Sequence, residues 1–217
     1  MIKAVIFDCD GVLVDSEPMT FELLQEEFAA HGLELERHEM EGMFIGGTIE
    51  GCAMRAREMG ATLPEDWADH YYTTLCERLR AGTPLMAGVP ELLERLDAAG
   101  VPYAVGSNGR HVKMDATLGQ HPEIRAKLEG RLFSGQEDVV RPKPAPDLYL
   151  HCAAVLGVAP EHCVVIEDSP PGADAAAAAG MRCLGYAPQG EYPKLAATGA
   201  ELFNDMAQVP ALIGLPA

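Results

Sequence analysis

No stretch of this 217-residue chain approaches the roughly 20 consecutive apolar residues that a membrane-spanning helix needs. Membrane binding is therefore not expected. Basic residues are also scarce, 16 Lys and Arg against 33 Asp and Glu, for a formal charge of −17. Such a balance repels a phosphate polymer, and no basic stripe offsets it, so no nucleic-acid partner is expected. The six cysteines, at 9, 52, 76, 152, 163 and 183, include no CxxC pair and no zinc-type Cys/His spacing. They read as small buried hydrophobes in a reducing compartment. Several catalytic signatures are missing too. Val105 stands where a GxSxG elbow around Ser107 needs glycine, His38-Glu39 has no second His of an HExxH pair, and no GxGxxG or Walker A run occurs. Lysine is absent between Lys3 and Lys113, and only four apolar residues separate Lys3 from Asp8, too short for a secretory h-region. A cytoplasmic location follows as an expectation.

What is present is ordinary globular composition, 48% hydrophobic and 23% charged, in a length that suits one domain or a core with a smaller insert. Continuous apolar runs at Ala4–Phe7, Tyr103–Gly106, Cys163–Ile166 and Cys183–Tyr186 have the look of parallel strands buried on both faces, and Leu132-Phe133 adds a short edge strand. Helical patterns separate them, at Val89–Ala99, Pro146–Leu156 and Pro171–Ala179, each opening near Pro and closing on Gly. This alternation predicts a doubly wound α/β parallel sheet. The gap between the first two strands is too long for a crossover. It reads as helices over Pro18–His31, Thr48–Met59 and Pro64–Ala81, closing at or beside Gly32, Gly60 and Gly82. The expected organisation is a core of residues 1–15 and 87–217 with an all-helical module inserted over 16–86.

Ligands of open α/β sheets gather beyond the carboxyl ends of the strands. There the sequence places Asp8 and Asp10, Ser107-Asn108-Gly109, and Glu167-Asp168, with Lys143 in a Pro-rich loop before the helix at Pro146. Each cluster alone could be a turn or a cap; together, at strand tips, they compose one site. Asp8 and Asp10 project to the same side if extended geometry persists, and Gly11 lets the backbone turn away. These carboxylates, joined by Glu167 and Asp168, repel one another unless a cation sits among them. A hard divalent ion, most simply Mg²⁺, suits an all-oxygen site and implies a phosphorylated substrate. Lys143, the Ser107 hydroxyl and backbone N–H groups around Asn108 and Gly109, at a helix start, would hold phosphoryl oxygens.

The run Asp8-Cys9-Asp10-Gly11-Val12-Leu13-Val14-Asp15, with Ser107-Asn108, Lys143-Pro144-Ala145-Pro146-Asp147 and Glu167-Asp168-Ser169, resembles the four motifs of the haloacid dehalogenase superfamily. Over essentially the whole chain the likeness is to its β-phosphoglucomutase-like phosphatases with a helical cap after the first motif, and Val105–Met114 resembles the sugar-acid phosphatases among them. The resemblance implies that Asp8 forms an aspartyl-phosphate, that Asp10 protonates the leaving oxygen and later activates water, and that Ser107 and Lys143 bind the transferring group. Mg²⁺ would be held by Asp8, the backbone carbonyl of Asp10, and Asp168, with Glu167 in or just behind the first ligand shell. Asp10 would have to arrive protonated, which a neighbouring carboxylate favours.

Within the family, Asp10 argues against dehalogenation, and the missing lysines argue against a Schiff-base phosphonatase. Thr20 and the segment Gly46-Gly47-Thr48-Ile49 lack the His and Arg of the mutase pattern, and cap arginines 37, 55, 57, 78 and 80 read as solvated salt-bridge partners. The expected activity is hydrolysis of a small phosphorylated metabolite, a sugar or sugar-acid phosphate, by a monomer or weak homo-oligomer. The alternatives are a phosphomutase and a non-catalytic binding protein.

Overall fold

The computed structural model describes residues 2–44 and 48–215; Gly46 and Gly47 of the segment compared with the mutase pattern lie outside them. The chain runs β1 (Ala4–Phe7), α1 (Glu17–Ala30), α2 (Arg37–Phe44), α3 (Ile49–Glu58), α4 (Trp67–Arg80), α5 (Val89–Ala98), β2 (Tyr103–Ser107), α6 (His111–Leu118), α7 (Pro122–Lys127), β3 (Leu132–Ser134), α8 (Asp147–Leu156), β4 (Cys163–Glu167), α9 (Pro170–Ala178), β5 (Arg182–Tyr186), α10 (Pro193–Ala196), β6 (Glu201–Phe203) and α11 (Val209–Leu212). Six strands pair in the order β3-β2-β1-β4-β5-β6, every pairing parallel. The predicted doubly wound sheet is therefore present, with one further edge strand, β6.

Both faces of the sheet are covered, and the side-chain period of two divides them. Val5 and Phe7 join Val105, Ile166, Leu184 and the α5 leucines on one side, whereas Ala4 and Ile6 join Val165 and the α8 and α9 side chains Tyr149, Cys152, Ala175 and Ala176 on the other. Small residues in α9 permit close approach, and Ser169 caps it by accepting from Gly172 N–H at 3.2 Å. Helices α1 to α4 form a third cluster around Phe28, Trp67, Tyr71 and Leu75, which also takes in Ala116 of α6. The linkers entering and leaving this helical layer run side by side: Asp15 N–H donates to Pro84 O at 2.9 Å and Met86 N–H to Leu13 O at 2.9 Å.

Strand order reverses direction about β1, with β2 on one side and β4 on the other, and that switch point is where a crevice opens. Register then does the positioning. Phe7 pairs with Ile166, so Asp8 emerges beside Glu167, and Asp8 N–H donates to Ile166 O at 2.9 Å.

Candidate active site

At the switch point Lys143 is almost fully enclosed, its side chain 2% exposed, with Nζ 2.5 Å from Asp8 Oδ1 and 2.6 Å from Glu167 Oε1. Glu167 is saturated: Oε1 also accepts from Tyr149 OH at 2.7 Å, and Oε2 from the N–H groups of Asp168 and Ser169 at 3.1 and 3.0 Å and from Ser169 Oγ at 2.8 Å. Two glycines make this closeness possible. A Cβ on Gly172 would lie 1.7 Å from Glu167 Oε1, and one on Gly11, at φ +73°, 1.8 Å from Asp168 Oδ2. Asp8, Glu167 and Asp168 each offer a carboxylate oxygen within 4.8 Å of the others.

Asp10 turns away from that group. Lys113 Nζ stands 2.8 Å from Asp10 Oδ1, Ser16 Oγ donates to the same oxygen, and Ser107 Oγ approaches Oδ2 at 3.5 Å. Asn108 ties the second-motif loop to the third: its Nδ2 donates to Lys143 O at 3.1 Å and its Oδ1 accepts from Lys143 N–H at 3.0 Å. The Asn108 side chain is thus engaged with the Lys143 backbone, and the expectation for phosphate concerned backbone N–H groups here. Gly109 N–H, expected to face phosphate as well, donates instead to Ser107 Oγ at 3.0 Å. The helix beyond it, α6, begins at His111.

The four carboxylates divide by environment. Burial pushes Asp8 up to about 7 against the pull of Lys143, with Glu167 and Asp10 adding to the rise. Burial, followed by the charges of Glu17, Glu167 and Asp8, holds Asp168 well above the usual carboxylate range. For Glu167 burial works in the same direction, but Lys143 and the hydrogen bonds it accepts bring it below its ordinary value. Asp10 is likewise raised by burial and lowered further by Lys113 and Ser16. That corrects the expectation of a protonated Asp10. The nearest opposite charge is the Lys113 ammonium, not a repelling carboxylate, and it favours the ionised form.

Asp8, Asp10, Ser107, Lys113, Lys143 and Asp168 line one side of a cavity of about 90 Å³, and Thr20, Phe21, Leu24, Ile49 and Cys52 of the helical layer line the other. Small-molecule sites run to several hundred Å³, so the cavity holds a phosphoryl-sized group and little more. A larger cleft of about 740 Å³ adjoins it, sharing Glu17 and Asp168 and bounded by Arg37, His38, Tyr186 and Lys194.

A family model for haloacid dehalogenase-like hydrolases matches residues 2–180. The chain belongs to that family. Among the haloacid dehalogenase-like hydrolases it is 32% identical to the 6-phosphogluconate phosphatase of Escherichia coli over 97% of this chain and 94% of the relative, and 32% identical to hexitol phosphatase A of the same bacterium over 89% and 87%. A family hydrolase from Deinococcus radiodurans, solved with bound phosphate and sodium, superposes with a TM-score of 0.73 at 33% identity, over 97% of this chain and 95% of that one. The helical layer of α1 to α4 stands where a cap domain of the family is expected.

The residues that sequence reasoning selected, Asp8, Asp10, Ser107, Asn108, Gly109, Lys143, Glu167 and Asp168, all converge on these strand tips. The acidic group at the crevice comprises Asp8, Glu167 and Asp168; Asp10's carboxylate stands outside it. Lys113, Ser16 and Tyr149 were not selected. Lys113 follows the Ser107-Asn108-Gly109 turn and occupies the first turn of α6, a place from which a side chain reaches back over the helix start; that spacing was the available signal. The cap arginines behave as solvated partners: Arg78 pairs with Glu26 at 2.5 Å, and Arg57 donates to Leu63 O at 3.2 Å and to Pro64 O.

Proposed function

We propose that this chain is a Mg²⁺-dependent phosphomonoesterase acting on a small phosphorylated metabolite, a sugar or sugar-acid phosphate, through an aspartyl-phosphate at Asp8. The observation that carries this reading is the placement of Asp8 against Lys143 and the Asp168 carboxylate, with Asp10 at the same mouth. A divalent ion fits the residues present. The donors are all oxygen, and burial followed by neighbouring charge disfavours the ionised forms of Asp8 and Asp168, a cost that a cation relieves. Asp8, Asp168 and the Asp10 carbonyl would hold it, with Glu167 behind them. When bound, the ion offsets negative charge on the phosphoryl oxygens.

Lys143 orients Asp8 through Oδ1 and also faces the transferring group. Asp8 attacks phosphorus as the ester P–O bond breaks, and Asp10, ionised at rest, takes the proton of a monoanionic ester as it binds and passes it to the leaving oxygen. In the second step water attacks the same phosphorus, its proton passes to Asp10, and Asp8 is released with inorganic phosphate. The resting Asp10, held ionised by Lys113 and Ser16, is poised as the base of that second step. Residues 16–86 act as the cap, hinged where Asp15 meets Pro84 and Leu13 meets Met86. Opening admits the substrate and closure excludes water. Water rather than sugar is the acceptor, because the cavity wall contributed by the cap carries no cation for a second phosphate among the described residues.

A panel of phosphate esters with and without Mg²⁺ tests the reading. Phosphate release that requires the metal is expected, and Asp8→Asn should reduce turnover by at least about 10⁴-fold with the fold intact. Turnover surviving in Asp8→Asn would remove the nucleophile assignment, and isomer interconversion with no phosphate release would mark a mutase.

A further inference from the structure

Tyr149 lies in the first turn of α8, fully buried, with its ring in the apolar cluster of Ile6, Cys152 and Val165. A phenylalanine would fill that place as well. A buried hydroxyl is costly unless it is bonded, and this one donates to Glu167 Oε1 at 2.7 Å. The same oxygen is 2.6 Å from Lys143 Nζ, and that ammonium stands 4.8 Å from the centre of the Tyr149 ring. Of the three N–H groups on Lys143, two are taken by Asp8 Oδ1 and Glu167 Oε1. The third is left for a phosphoryl oxygen, because Lys143 lines the small cavity whereas Glu167 and Tyr149 lie behind it. An ammonium gripped by a whole carboxylate charge has little attraction to spare for that oxygen. By donating to Oε1, the hydroxyl takes up part of the charge that faces Lys143, and the ring stabilises the ammonium where it stands. Asn108 fixes the backbone of the same lysine, through its N–H at 3.0 Å and its carbonyl at 3.1 Å.

We propose that Tyr149 is a positioning residue: by sharing Glu167 Oε1, its hydroxyl loosens the hold of Glu167 on Lys143 and keeps that ammonium available to the phosphoryl group at Asp8. The proposal rests on the phosphatase reading of the site. Tyr149 acts through Lys143 and Glu167 and lines no part of the small cavity itself. Its hydroxyl is not what anchors Glu167. Oε2 keeps the N–H groups of Asp168 and Ser169 and the Ser169 hydroxyl, so removing one donor from Oε1 leaves that carboxylate, and Asp168 beside it, in place. The effect of losing the hydroxyl therefore falls on the phosphoryl side of the site and not on the metal side.

Calorimetry with Mg²⁺ alone, and with inorganic phosphate in the presence of Mg²⁺, compares the unaltered protein with Tyr149→Phe, which keeps the ring and loses the hydroxyl. Phosphate should bind about tenfold more weakly to the variant, part of the worth of one charge-assisted hydrogen bond, while Mg²⁺ affinity holds. The kcat/KM of the variant for a phosphate ester should fall by the same factor as its phosphate affinity. Equal phosphate affinity in the two proteins would overturn the proposal. A Tyr149→Phe protein that loses Mg²⁺ and phosphate alike, or that fails to fold, would overturn it too, since either result marks a purely structural tyrosine. If the unaltered protein takes up no phosphate with Mg²⁺ present and hydrolyses no ester, the proposal falls together with the phosphatase reading.

Discussion

Four carboxylates within one crevice carry opposite perturbations, and the partner of each explains which way it goes. Asp10 and Glu167 each face an ammonium, whereas Asp8 shares Lys143 with Glu167, and burial and Glu17 dominate at Asp168. The raised pair dictates how the metal-free protein responds to pH. Asp8 goes from an ordinary 3.8 to about 7 on folding, so between those values the native state binds more protons than the unfolded chain. Stability should therefore fall as pH rises from about 4 through about 7, with Asp168 acting in the same direction. Below about 4 the lowered Asp10 and Glu167 reverse the trend. Thermal melts in chelator should show Tm dropping across this window, with Asp8→Asn flattening the slope and Mg²⁺ raising Tm more at pH 8 than at pH 5; a wild-type slope no steeper than that of Asp8→Asn would refute the account. Gly172 offers a second check. A methyl there meets the Glu167 carboxyl at 1.7 to 2.4 Å, so Gly172→Ala should cost about 1–3 kcal/mol in denaturant unfolding, the range for overpacking, and displace Lys143 from Asp8, with loss of kcat. The motif carboxylates were legible in the sequence because strand tips converge by topology alone. Ser16 and Tyr149 were not, because their roles depend on tertiary proximity that no local pattern encodes, whereas Lys113 carried a signal only in its spacing after the Ser107-Asn108-Gly109 turn.

At the scale of elements, α6 links the two layers. Arg110, just before it, reaches Glu50 of α3 at 2.5 Å and Asp69 of α4 at 2.7 Å and stacks over Tyr72 at 4.5 Å, while Gln136 donates to both Tyr72 OH, at 3.0 Å, and Asn108 O, at 2.6 Å. Half-exposed ion pairs contribute about 0.2–1 kcal/mol each, so this clasp holds α3 and α4 against the core only lightly, in keeping with the hinged cap proposed above. Arg110→Ala should raise KM several-fold with kcat little changed, and should speed proteolysis within α3 and α4; unchanged cleavage kinetics would show that the clasp does not govern closure. Most elements were legible from period and punctuation: five of the strands, and α1, α3, α4, α5, α8 and α9. The exceptions are instructive. Helix α2 has only eight residues, α7 six beginning at Pro122, α10 and α11 four each, and β6 three beginning with a charge, so none is long enough to carry a periodic pattern that stands apart from loop.

For the molecule as a whole, the −17 charge repels the anionic substrate that the site is built to hold. Capture then depends on the cations inside the crevice, and bulk salt should screen the repulsion from outside. Raising ionic strength from 10 to 150 mM should increase kcat/KM for a dianionic ester modestly, about two- to threefold by Debye screening; a steep decrease would mean that a local positive field, not the net charge, steers association. The overall plan, a central sheet with a helical insert, was visible in the spacing of apolar runs, because a gap of 95 residues, 8 to 102, between adjacent parallel strands leaves no simpler path. Ala116 of α6 was assigned to neither layer by pattern, yet it packs in the cluster formed by α1 to α4. Anyone transplanting those four helices from a relative, to confer a new substrate on this scaffold, would have to carry the matching face of α6 along with them. Left behind, it would offer the newcomer an ill-fitting seat directly beside Ser107.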